Sequence, residues 1–148
     1  MSERYFEDIR AGDRFESGTY NVTAEGIIAF AQEFDPQPFH LDEEAAVESI
    51  FGGLTASGWH TAAIAMRLFV TSGLNPAGGA IGLGVDELRW PAAVRPGDIL
   101  RAEIQVLEVR PSKSKPEQGI VKIRNTTKNQ RGEIVLTFVA NAMVRRKP

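Results

Sequence analysis

Asp35 and His40 stand five positions apart in the stretch Phe34-Asp35-Pro36-Gln37-Pro38-Phe39-His40-Leu41-Asp42, a carboxylate and an imidazole on a backbone stiffened by two prolines. Each proline holds its own φ near −65° and pushes the preceding residue out of the helical region, so Asp35 and Gln37 are expected to be extended. A rigid, non-helical segment presenting these two groups together is suited to proton transfer through water. With unperturbed pKa values of about 3.9 and about 6.5, the aspartate is ionised and the histidine largely neutral near pH 7, so both accept hydrogen bonds. The same spacing also fits a loop that ends a helix, with an aspartate that caps and a histidine that is merely exposed.

Several other chemistries are excluded by composition. The chain has 148 residues, 43% hydrophobic and 24% charged, which suits one compact domain spanning residues 1–148. It contains no cysteine, and His60 is the only other histidine. Disulfides, thiol nucleophiles and thiolate metal sites are therefore absent, and a metal enzyme is not expected. The net charge of −2 offers no overall attraction to nucleic acid, and Arg145-Arg146-Lys147 reads as a solvated tail. No apolar run is long enough to span a bilayer, and Met1 to Asp13 lack the apolar core of a secretory signal, so a cytoplasmic location is expected. Asn21-Val22-Thr23 and Asn125-Thr126-Thr127 match the glycosylation pattern by chance on that reading.

The elements that must position the pair can be read on either side of it. A strand is expected over Asp13–Asn21, followed by a helix capped by Thr23 that carries Ile27, Ile28, Phe30 and Ala31 and stops at Asp35-Pro36. Asp42 caps a short helix begun by Glu43 and Glu44. The glycine-bearing stretch Phe51–Gly58 is a loop, and Trp59–Val70 is a helix so apolar that it should be buried on most sides. Four strands follow, Ala80–Trp90, Asp98–Arg110, Gly119–Lys128 and Glu133–Arg146, with the last apolar on both faces and expected to be central. Consecutive strands without an intervening helix pair antiparallel. The expected architecture is α+β: a five-stranded antiparallel sheet wrapped around one long apolar helix. An open sandwich with both helices side by side uses the same elements.

This order and the motif Asp35-Pro36-Gln37-Pro38-Phe39-His40-Leu41-Asp42 resemble the MaoC-type dehydratases, the (R)-specific enoyl-CoA hydratase branch of the hot-dog superfamily, whose motif runs Asp-x-Asn-Pro-x-His-x-Asp. Ser57-Gly58-Trp59-His60 at the start of the central helix and the turn Trp90–Asp98 extend the resemblance over nearly the whole chain. Gln37 stands where the family usually has Asn. Ala63 stands at the nearest position to the usual hydroxyl residue, with Thr61 as a substitute.

The resemblance implies a reversible addition of water to a 2-enoyl thioester, with Asp35 as general base or acid and His40 orienting the water. Gly58 would offer its N–H to the enolate oxygen at the positive end of a helix, or it is a simple helix-start turn. Gln37, Phe39, Ser57 and Trp59 would contact substrate, although core is the safer reading of Phe39 and Trp59. Burial beside an acyl channel would raise the Asp35 pKa. Asp42 is expected to be a cap and His60 a packed residue. Arg89, Arg95 and the Lys113-Ser114-Lys115 loop could meet coenzyme A phosphates. No cofactor is implied, since the coenzyme A or acyl-carrier thioester is the substrate, and a homodimer or dimer of dimers is the implied assembly. Two other functions fit: a hot-dog acyl-CoA thioesterase, and a non-catalytic acyl-CoA or acyl-carrier binding module.

Overall fold

A computed structural model describes residues 2–148, so Met1 lies outside the described part. Strand β1 (Arg14–Asn21) leads into helix α1 (Ala24–Phe34), whose first turn is capped by the Thr23 hydroxyl accepting from the Gly26 N–H at 3.0 Å. Such a cap contributes about 1 kcal/mol. Two short helices follow, α2 (Pro38–Leu41) and α3 (Glu43–Val47), and Asp42 caps the second by accepting from the Glu44 N–H. Helix α4 (Gly58–Val70) precedes strands β2 (Ile81–Arg89), β3 (Ile99–Pro111), β4 (Gln118–Lys128) and β5 (Ile134–Arg145).

The strands form one antiparallel sheet in the order β1-β3-β4-β5-β2. Strand β5 lies inside the sheet, flanked by β4 and β2 as expected of a central strand, and β4 is the middle one of the five. On β3, Leu100, Ala102, Ile104 and Val106 are buried while their neighbours are not, the alternation of a sheet with one covered face. Helix α4 covers that face, packing Ile64, Ala65 and Leu68 into the same core. Asn125 on β4 is fully buried and donates from Nδ2 to the Ala65 carbonyl at 3.2 Å, while Thr127 donates to its Oδ1 at 2.7 Å. The helix is thereby pinned over the middle strand. This also disposes of Asn125 as a glycosylation acceptor.

Two expectations need correction. Helix α4 is not buried on most sides: Trp59, Ala63, Met66 and Val70 form an exposed apolar stripe at helical spacing. Beside the sheet, edge strand β2 likewise exposes Ile81, Leu83 and Val85. Apolar sequence reports what a surface prefers, not whether this chain alone supplies the cover. The second correction is local. Gln37 is extended, as the following proline demands, but Pro38 then occupies the first position of a helical turn, where its missing N–H costs nothing, and His40 sits on that turn instead of in an extended loop.

Candidate active site

The chain between α1 and α3 is held by its own backbone. Asp35 N–H closes α1 on the Ala31 carbonyl, Gln37 N–H bonds the Asp35 carbonyl at 2.8 Å around Pro36, and His40 N–H bonds the Gln37 carbonyl at 2.9 Å. A second clamp ties this bend to the loop before α4. His40 Nδ1 lies 2.6 Å from the Thr55 carbonyl, and the Thr55 N–H bonds the Phe39 carbonyl at 3.3 Å. A carbonyl only accepts, so Nδ1 carries the hydrogen and Nε2 of the neutral ring is left with its lone pair.

Nε2 faces Asp35 Oδ2 at 3.5 Å. That is too long for a strong direct hydrogen bond and suits a shared water. An ionised carboxylate and an unprotonated ring nitrogen are both acceptors, so one water can give a hydrogen to each and turn its oxygen lone pair outward.

Asp35 is held below its ordinary pKa of 3.8, chiefly by the Ser57 hydroxyl, with the Gln37 amide and, when its ring is protonated, the charge of His40 adding to the effect; burial opposes them and loses. The expected upward shift is thus corrected. The carboxylate sits partly open to the cavity and is met by donors: Gln37 Nε2 donates to Oδ1 at 2.5 Å. Hydrogen bonds to the charged form outweigh partial desolvation. Gln37, the departure from the usual Asn, still supports the carboxylate.

Asp35 and His40 open on a cavity of about 500 Å³ whose further walls include Phe51, Ala56, Trp59, Trp90 and Val94. Gly58 lies at its rim, at the first position of α4, where a backbone N–H has no partner within the helix. Ser57, fully buried, caps this helix by accepting from the Trp59 N–H at 3.2 Å. The structure brings Asp35, Gln37, His40, Gly58 and Trp59 to one cavity, with Ser57 behind them. Phe39 does not line it; its ring stands edge-on against His40 at 4.7 Å and packs on Phe51. Thr61 lines the cavity while Ala63 lies on the exposed stripe of α4, so Thr61 is the hydroxyl at hand.

Other candidates fall elsewhere. His60 is buried and stacked on Phe30 at 4.8 Å, and burial lowers its pKa, which keeps it neutral. Arg95 donates to the Phe51 carbonyl at 2.7 Å, bracing the glycine loop. Arg89 lines a separate groove with Arg124, and neither Lys113 nor Lys115 lines the cavity. Among the described residues no group of three or more His, Asp or Glu could hold a metal ion, and no helix is long and apolar enough to cross a membrane.

Trp90 was not singled out by its sequence context, yet it explains Gly58. The indole Nε1–H donates to the Gly58 carbonyl at 2.7 Å, and a Cβ on Gly58 would fall 2.7 Å from Trp90 Cε2. Glycine is needed here for the indole to pack against the helix start. Gly58→Ala should therefore push the Trp90 ring aside, costing about 1–3 kcal/mol by overpacking. Thermal melting with tryptophan fluorescence checks this; an unchanged melting temperature and emission spectrum would refute it.

An antiparallel sheet wrapped over one helix defines a hot-dog domain, and Asp35 and His40 share a cavity with Gly58 at the start of that helix. The model of the MaoC like domain matches residues 9–129, and the chain belongs to that family. It is 58% identical to the MaoC-like dehydratase of known crystal structure from Rhodospirillum rubrum, with a TM-score of 0.92 over 98% of this chain and 99% of that one. An (R)-specific enoyl-CoA hydratase from Rhodospirillum rubrum is 30% identical over 146 residues, covering 95% of this chain and 91% of the relative. The fold is shared with a Mycobacterium tuberculosis protein described as a double hotdog fold, at 21% identity and a TM-score of 0.80 over 99% of this chain and 45% of that one. Some curated relatives are longer; the chain spans 30% of one and 19% of another.

Proposed function

We propose that this protein is an (R)-specific 2-enoyl-CoA hydratase, working reversibly as a 3-hydroxyacyl-CoA dehydratase. The observation that carries the reading is the pair of acceptors, Asp35 Oδ2 and His40 Nε2, 3.5 Å apart and open to one cavity. Both groups together can hold and deprotonate a single water, which a thioester hydrolysis with a lone carboxylate does not require. The hydratase relative described above supports the class and the stereochemistry.

In the forward direction the water oxygen bonds to the β-carbon of the enoyl thioester as Asp35 takes its proton and His40 holds its orientation. The double-bond electrons move to the thioester oxygen, where the Gly58 N–H at the start of α4 meets the developing charge. A proton then passes from Asp35 to the α-carbon, restoring the carboxylate. The low pKa of Asp35 makes it a modest base but a ready donor in this second step. Gln37, Ser57 and Trp59 contact or support the bound thioester.

The exposed stripe of α4 and the open edge of β2 bear on the assembly. A second copy would cover both at once, so a homodimer is part of this proposal. Light scattering should give twice the chain mass.

Incubation with crotonyl-CoA should remove the enoyl absorbance and yield (R)-3-hydroxybutyryl-CoA on chiral analysis, with no free thiol. Thiol release would establish the thioesterase instead, and tight binding of the thioester without turnover would establish a binding module.

A further inference from the structure

His60 is 8% exposed, and its Nδ1 is sealed from water with no hydrogen-bond partner. The ring lies nearly parallel to that of Phe30 on α1 at 4.8 Å, and Phe30 leans on Phe34, the last residue of that helix, at 5.0 Å. A sealed N–H without an acceptor is worse than a sealed lone pair, so the neutral ring keeps its hydrogen on Nε2 and a second proton must go to Nδ1. No acceptor waits there. The ring also stands on the third residue of α4, where the positive end of the helix disfavours a cation. His40 differs, because its Nδ1 already donates to a carbonyl and its Nε2 faces a carboxylate.

The charged groups of the surrounding elements supply no counter-charge. Glu25 and Glu33 of α1 and Arg67 of α4 are exposed, and Asp35 is taken up by Ser57 and Gln37. The charged side chains of β1, β3, β4 and β5 alternate with core positions and stand on the face of the sheet away from α4. Burial alone shifts His60, downward from 6.5.

We propose that His60 is an acid-sensitive latch between α1 and α4: to take up a proton the ring must be freed from Phe30, so α1 lifts and carries Asp35 away from His40 and Gly58. Helix α1 is suited to this, since it buries only Ile27 and Ala31 completely, and Asp35 is tied to it through the Ala31 carbonyl. Elements with few buried apolar contacts open at low cost. A histidine depressed in the folded state supports that state fully above 6.5, and the support is lost as pH falls toward the folded value. With an open-state value near 6.5, the opening constant of α1 should rise about tenfold between about pH 7.5 and about pH 5.5.

Hydrogen exchange of the α1 amides, followed by mass spectrometry and corrected for intrinsic pH dependence, reads that opening in the intact protein. Wild-type α1 should lose about tenfold in protection across the interval while the strands keep theirs. His60→Phe keeps a ring stacked on Phe30 without a titrating nitrogen, and its α1 protection should not change with pH. Acid loss of equal size in His60→Phe, a matching loss in the strands, or no loss in the wild type would overturn the latch. If His60→Phe does not fold, the wild type decides alone. Its His60 ring signal in NMR should titrate together with the loss of α1 protection, and a ring that protonates with α1 still protected overturns the assignment.

Discussion

Asp35→Asn should lower kcat for crotonyl-CoA hydration on the order of a thousandfold, the scale of a lost general base, while melting stays within about 3 °C of the wild type. An asparagine keeps the size of the side chain and an oxygen for Gln37, so the bend survives; what disappears is the group that takes the water's proton. The modest stability change has a sign. A carboxylate depressed in the folded state contributes stability above its ordinary value of 3.8, and this contribution fades as pH falls through the lower folded value. The Asp35-dependent component of kcat/KM should likewise persist to pH values below 3.8. Wild-type turnover in the variant would remove Asp35 from the mechanism.

The second large effect is expected at His40, where two variants separate catalysis from support. His40→Ala removes a buried ring and strands the Thr55 carbonyl, so both kcat, by about a hundredfold or more, and stability, by about 2 kcal/mol, should fall. His40→Asn places an amide N–H where Nδ1–H stood and nothing where Nε2 stood. It should melt close to the wild type yet remain as inactive as the alanine variant. Should His40→Asn recover turnover along with stability, His40 would be a scaffold residue only.

Much of this was legible in the linear chain because it depends on near neighbours. Thr23, Asp42 and the two prolines act within a few residues, and the alternation along β3 follows from one covered face. What escaped depends on contacts made across the fold. The direction of the Asp35 shift is set by Ser57, twenty-two positions away, and the need for glycine at position 58 comes from Trp90. Thr55 carries no signal in its local context; its importance rests on the His40 ring that its carbonyl grips. The stripe on α4 was visible as apolar, but sequence could not say that this chain leaves it open.

The clamp between Thr55 and the α2 turn separates two duties. Asp35 and His40 are oriented by hydrogen bonds confined to residues 31–40, 55 and 57, whereas much of the chamber's wall comes from the turn at 90–94 and from Phe51. Lineages, or engineers, can therefore reshape the chamber for longer, branched or decorated chains by redrawing that turn, without retuning the reactive couple.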